Sequence, residues 1–313
     1  MNTTIIGAAG FIGTNLALNL GKSKETSLTL VDAEDFYFDH IRAAGLSNVR
    51  YVADPLTYES DLDRMVEGSD VVYHLFSTSN PSNSNRKIAD ELQGNVIFSS
   101  NLFEACGRQK VKKVVFISSG GTIYGKDTRC PCREDSATDP ITSYGLQKLT
   151  IEKLMYLCHY IYGFDYKIIR LSNPFGPYQR PNGLLGVVTT FIYKALKREK
   201  LSVYGDGSVV RDFIFIDDVI RGIQQIVNGN SDYHVFNLGS GYGISVKQVI
   251  ETISRVLKTE LDVEYTPARN VDVPINYLDI GRYEKAFGAL NPLPLEMGIE
   301  KTADFLRSMY LND

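Results

Sequence analysis

Thr3-Thr-Ile-Ile-Gly7-Ala-Ala-Gly10-Phe11-Ile12-Gly13 stands near the start of the chain. Its β-branched run reads as a strand and Phe11–Leu20 as a helix. Between them, glycine lets the backbone turn sharply and approach a pyrophosphate closely. The free N–H groups of the helix N-terminus then face the phosphates. Asp32 closes a second apolar run, Leu28–Val31. A carboxylate there accepts hydrogen bonds from both ribose hydroxyls and repels a 2′-phosphate, so it favours NAD over NADP.

Outward from this unit, short apolar runs alternate with helical stretches. Val49–Val52, Val71–Leu75, Val114–Ser118 and Lys167–Leu171 read as strands; Leu62–Glu67, Asn95–Gly107 and Ser143–Tyr162 read as helices. The strands are continuously apolar, the pattern of strands covered on both faces. The expected fold is α/β, a Rossmann-like doubly wound parallel sheet, followed by a smaller C-terminal α/β substrate-binding domain. Residues 1–171 are expected to form the NAD-binding domain, with a segment near 205–240 returning to it. Residues 172–313 form the substrate-binding region, which opens on a turn-rich Asn-Pro-Phe-Gly-Pro stretch.

The 313 residues carry a formal charge of −4, too acidic for the basic stripe of a nucleic-acid or membrane-surface protein. No run approaches the ~20 apolar residues that span a bilayer. Four cysteines and four histidines lack the spacing of a disulfide framework or metal site; Cys130-Pro-Cys132 reads as loop thiols. Without a leader pattern, a cytoplasmic location is expected.

Several stretches carry candidate chemistry. Ser118-Ser119-Gly-Gly-Thr122-Ile-Tyr-Gly125 follows a strand C-terminus, where α/β sheets hold ligands. Tyr144 and Lys148 are four residues apart, on one helix face. An ammonium there lowers a phenol's pKa from ~10, and a nicotinamide's positive charge pushes the same way. Tyr193 and Lys197 share the spacing but sit in a basic run, and read as a solvated helix face. Asp54, after the third strand, suits the adenine edge or a turn.

With these motifs assembled, the chain resembles an extended short-chain dehydrogenase/reductase of the nucleotide-sugar epimerase/dehydratase group, in type nearest the UDP-glucose 4-epimerases. The resemblance rests on Gly7–Gly13, Asp32, His74-Leu75, Asn95-Val96, Ser118–Gly125, Tyr144–Lys148, Asn173-Pro-Phe-Gly-Pro177, Tyr204-Gly-Asp-Gly207, Arg211-Asp-Phe213 and Arg269-Asn-Val-Asp272. It implies Tyr144 as base, Lys148 as its electrostatic partner, and NAD contacts from Gly7, Gly10, Phe11, Ile12, Gly13, Asp32, Asp54, Leu75, Asn95 and Ser118. It implies UDP-sugar contacts from Thr122, Asn173, Tyr204, Arg211, Arg269, Asp272 and Asn276, the last gating the sugar's 2-substituent. The implied reaction is C4 epimerisation in a homodimer.

Two departures stand out. The usual catalytic Ser/Thr slot holds Gly120, so the hydroxyl comes from Ser119 or Thr122, with Ser119 preferred. The dehydratase Asp-Glu pair is replaced by Gly121 and Thr122, neither able to move that proton. A nucleotide-4-keto-sugar reductase and a non-catalytic NAD-binding protein remain the alternatives.

Overall fold

The computed structural model describes residues 1–80, 84–85, 87–181, 186–268 and 273–311. A seven-stranded sheet runs in the order Val235–Leu238, Asp165–Leu171, Lys113–Ser119, Val71–His74, Asn2–Ile6, Ser27–Asp32, Val49–Ala53. Counted along the sheet's own strands, that is 7-6-5-4-1-2-3, the doubly wound order with one added strand. Asn2–Ile6 pairs in parallel with Ser27–Asp32 on one side and with Val71–His74 on the other. The strand order reverses there, so ligands are expected beyond the C-terminal ends of these strands.

The chain divides into two compact units. The first comprises Met1–Ser119, Thr142–Ile169 and Ile226–Val235. Its core joins Ile6, Val31, Val72, Val114 and Phe116 of the sheet to Phe98, Phe103, Ile151 and Met155 of two helices. Each such side chain contributes about 2 kcal/mol on leaving water. The Ser143–Tyr162 helix starts at Thr142, whose hydroxyl accepts from the Gly145 N–H, and ends at Gly163 in the left-handed region. Ile151, Met155 and Cys158 are buried on one side, while Tyr156, Leu157, Tyr160 and Ile161 are exposed.

The second unit comprises Gly120–Ile141, Arg170–Gln225 and Phe236–Asp313. Gly120–Ile141, expected within the first 171 residues' domain, groups here instead. Ile123, Tyr124 and Cys132 form a buried cluster with Leu278, and Tyr124 donates its hydroxyl proton to Asn237 at 2.6 Å. Three helices, Val187–Lys197, Val246–Leu257 and Leu295–Tyr310, pack together in this unit.

Two short strands, Val210–Arg211 and Phe213–Phe215, follow each other with a break between them. Asp212 lies at the break, fully buried. Its carboxylate accepts from the Ser240 N–H at 2.7 Å, the Ser240 hydroxyl at 2.8 Å, and the Leu278 and Gly241 N–H groups at 3.2 Å. Burial pushes its pKa up, and these donors pull it back. On either side of it, Phe213–Phe215 pairs with Asn173–Phe175, while Val210–Arg211 pairs with Ile275–Asn276.

Candidate active site

In the first unit the glycine turn sits at the C-terminal end of Asn2–Ile6. Gly7 has φ +84°, and a Cβ there would lie 2.7 Å from the Phe76 nitrogen. A Cβ on Gly13 would lie 2.4 Å from the Gly7 carbonyl oxygen. Only glycine fits this crossing, which leaves bare backbone at the helix entrance, with no side chain capping Gly10. Phe11 and Ile12 follow in the first helical turn. Asp32 ends the next strand and accepts from the Ala9 N–H at 2.7 Å and the Ala33 N–H at 2.8 Å. Each oxygen keeps a lone pair for a ribose hydroxyl. Bare backbone amides for a diphosphate and a fixed carboxylate for an unphosphorylated ribose fit NAD.

Leu75 follows Val71–His74 and donates its N–H to Ile6 at 2.9 Å, at the same end of the sheet as the glycine turn. Asp54 is engaged locally, accepting from the Leu56 N–H at 3.0 Å and from the Ser60 hydroxyl. Asn95 is 4% exposed and its amide is directed into the protein. It accepts from the Thr78 N–H at 2.8 Å and donates to Gln147 at 2.7 Å and to the Glu91 carbonyl at 3.0 Å. Ser118 donates to Glu152 at 2.5 Å, both buried.

Tyr144 and Lys148 lie in the first turns of the Ser143–Tyr162 helix. The Lys148 ammonium is 5.6 Å from the Tyr144 ring centre and 4.8 Å from that of Phe116. It donates to the Ile117 carbonyl at 3.0 Å. Burial lowers Lys148 to about 8, opposed by the Glu152 carboxylate. The Tyr144 phenol is pushed up to about 12 by desolvation, with the neighbouring Ser119 hydroxyl pulling downward. The sequence expects a phenol lowered by its lysine; here burial is the largest influence and raises it.

Ser119 is the hydroxyl that favours the Tyr144 phenolate. At the Gly120 slot, a Cβ would lie 2.6 Å from Leu278 Cδ1 and 3.1 Å from the Arg170 carbonyl oxygen. No serine fits there without movement of Leu278.

Gln147 escaped the sequence reading, although it stands beside Lys148. It is 2% exposed, and its amide meets four side chains. Its Nε2 donates to Glu91 at 2.9 Å and to Ser143 Oγ at 2.8 Å; its Oε1 accepts from Asn95 at 2.7 Å and from Ser79 Oγ at 3.1 Å. A polar residue next to the Tyr144–Lys148 pair was the available signal, but its partners are remote in sequence.

In the second unit, Asn173 donates both its backbone N–H and its side-chain amide to the Asp212 carbonyl, each at 3.0 Å. The Arg211 guanidinium donates to the Val210 carbonyl at 2.8 Å and to the Val273 carbonyl at 2.6 Å. Asn276 is the strand partner of Arg211. It is 2% exposed and donates to the Gly120 carbonyl at 3.3 Å, while its Oδ1 and the half-buried Thr122's Oγ1 are buried with no partner among the described residues. Those two oxygens suit ligand donors. Tyr204 is 52% exposed. Arg269 and Asp272 lie outside the described residues. Among the described residues no cluster could hold a metal ion, and no helix is long and apolar enough to cross a membrane.

Comparison with known proteins extends this geometry. The UDP-glucose 4-epimerase of Mycolicibacterium smegmatis is 28% identical over 310 residues, 98% of this chain and 99% of the relative. The solved UDP-glucose 4-epimerase of Thermotoga maritima, with UDP-glucose, is 29% identical at a TM-score of 0.89, over 98% of this chain and 99% of its own. The UDP-N-acetylglucosamine 4-epimerase of Methanobrevibacter ruminantium, in complex with UDP-N-acetylmuramic acid, is 28% identical at a TM-score of 0.89, over 98% of each chain. The sequence profile of the NAD dependent epimerase/dehydratase family matches residues 3–239. With that match running from the first strand through the last strand of the sheet, the chain belongs to the NAD dependent epimerase/dehydratase family.

Proposed function

We propose that this enzyme epimerises a UDP-hexose at C4 through a 4-keto intermediate. The observation that carries the reading is the grouping of the Ser119 hydroxyl and the Lys148 ammonium beside Tyr144. NAD supplies a reversible hydride acceptor for C4. Tyr144 takes the proton of the 4-hydroxyl and returns it after the sugar has turned over. Ser119 holds the phenol in place and stabilises its anion. Lys148 adds positive charge beside the phenolate and binds the nicotinamide ribose. Asp32 and the glycine turn hold the rest of the cofactor; Asp54, Leu75, Asn95 and Ser118 shape its surroundings.

Asn173, Arg211 and Arg269 grip the diphosphate, an arginine's planar fork donating two bonds at once. Tyr204 borders the uracil, Asp272 bonds the uridine ribose, and Thr122 and Asn276 face the sugar. Relatives named for glucose and for N-acetylglucosamine epimerisation support a UDP-hexose without choosing its 2-substituent. The exposed Tyr156, Leu157, Tyr160 and Ile161 support a homodimer formed through this helix. Light scattering that finds only monomer at micromolar concentration overturns the dimer.

The test is incubation with UDP-glucose, UDP-galactose and their N-acetyl forms without added nucleotide. Interconversion with no net change in NADH absorbance is expected. Stoichiometric NADH consumption with a keto sugar would make the protein a reductase, and absence of turnover with every sugar would leave a binding protein.

A further inference from the structure

Cys130 and Cys132 lie with their sulfurs 3.6 Å apart. Neither is in a disulfide. Cys130 is partly exposed, and its thiol donates to the Ile275 carbonyl at 3.4 Å. Cys132 is 1% exposed, and its sulfur lies 4.0 Å from the Asn276 amide nitrogen. The backbone binds the same segment: the Cys132 N–H donates to the Tyr277 carbonyl at 2.9 Å, and the Asp279 N–H to the Cys132 carbonyl at 2.8 Å. Two thiols, one reachable from solvent and one buried behind it, are thus fastened to the strand that carries Asn276.

We propose that Cys130 and Cys132 form a reversible disulfide, a redox modification site that acts on the substrate pocket through Ile275 and Asn276. The oxidant is a low-molecular-weight disulfide. The Cys130 thiolate attacks one of its sulfurs, forms a mixed disulfide and releases one small thiol. Cys132, as thiolate, attacks the Cys130 sulfur and releases the second. Two protein thiols are oxidised, one small disulfide is reduced to two thiols, and the two protein protons end on them. Burial holds the Cys132 thiol up at about 12, which makes the solvent-reachable Cys130 the first to react.

Closing the bond brings the sulfurs from 3.6 Å to about 2.05 Å. The S–H donor to the Ile275 carbonyl disappears, and the Cys132 sulfur is drawn from its place beside the Asn276 amide. The strand that pairs with Arg211 is loosened at one end. The effect on substrate rests on the epimerase reading; the existence of the disulfide does not.

The experiment treats the NAD-bound enzyme with oxidised glutathione and reads intact and peptide masses together with UDP-sugar kinetics. The peptide containing both cysteines is expected to become lighter by two hydrogen atoms and to recover with dithiothreitol. Cys106 and Cys158, both buried, are expected to stay reduced. Cys130→Ser is expected to abolish the change and keep basal activity. KM for the UDP-sugar is expected to rise about fivefold, the scale of one hydrogen bond. A peptide that stays reduced, or that stops at a glutathione adduct on Cys130, overturns the site. A disulfide with unchanged KM overturns its action on the pocket. No turnover before oxidation refutes the epimerase reading and with it that action, while the masses still decide the disulfide.

Discussion

Gln147 donates its amide to the Glu91 carboxylate at 2.9 Å, and Ser143 Oγ donates to the same oxygen at 2.7 Å. Glu91 thereby places negative charge at the N-terminal turn of the helix bearing Tyr144 and Lys148, where the helix dipole favours it. The far side of the Gln147 amide is held by Asn95 and Ser79. The turn bearing Tyr144 and Lys148 is clamped from both sides by polar contacts.

Reversing the polarity of this clamp tests it. Gln147→Glu sets two carboxylates against each other and is expected to cost about 2 kcal/mol of stability and a comparable share of kcat. Glu91→Gln in the same chain restores a donor facing an acceptor, so the double variant is expected to recover most of both. Thermal unfolding and kcat of the four proteins form the cycle. Additive losses in the double variant would exclude the clamp.

The reach of these contacts explains what the sequence shows and hides. Strand runs and the Ser143–Tyr162 helix are written in local apolar patterning, and their observed bounds agree with it closely. The glycine turn is equally legible because backbone crowding allows little else. The Gln147–Glu91 bond joins residues 56 apart in sequence, and no local period reports it. The same holds for Asp212, whose carboxylate sits at a break between two strands and collects donors from 240, 241 and 278. Choosing Ser119 over Thr122 also needed coordinates, since both lie in one hydroxyl-rich loop.

Titration of Lys148 and Tyr144 gives a second prediction. Lys148 falls from its ordinary 10.5 to about 8 in the folded protein. Between these values the unfolded chain binds more protons, so stability rises with pH there, and below about 8 both forms are protonated. In the cofactor-free protein, wild type is expected to gain on Lys148→Met by roughly 1.4 kcal/mol per pH unit across that window. Urea unfolding of both proteins at several pH values measures it. A difference independent of pH would show that Lys148 is not desolvated.

Tyr144 behaves in the opposite sense. Its phenol is raised from 10.0 to about 12, so the folded state holds the proton longer and loses stability as pH passes through that range. A positively charged nicotinamide nearby favours the phenolate. Saturating NAD⁺ is therefore expected to lower the Tyr144 ionisation by about one unit or more. Tyrosinate absorbance, taken as wild type minus Tyr144→Phe, isolates this residue from the other tyrosines. Tyr144→Phe is also expected to reduce kcat by about 10³-fold. An ionisation unmoved by NAD⁺ would detach the phenol from the cofactor.

Gly120 supplies the last prediction. Serine there restores the residue usual in the family, yet its Cβ meets Leu278 at 2.6 Å and the Arg170 carbonyl oxygen at 3.1 Å. Gly120→Ser is expected to destabilise by about 1–3 kcal/mol, as overpacking does, and to give no gain in kcat. Ser119→Ala is expected to lower kcat by about 10- to 100-fold, because the phenolate loses the hydroxyl that favours it. Gly120→Ser introduced into Ser119→Ala is expected to recover little activity until Leu278→Ala opens space for the new side chain. Full recovery in the Ser119→Ala/Gly120→Ser protein with Leu278 intact would mean that the loop yields readily, and that the hydroxyl at 119 is a matter of sequence history rather than of packing.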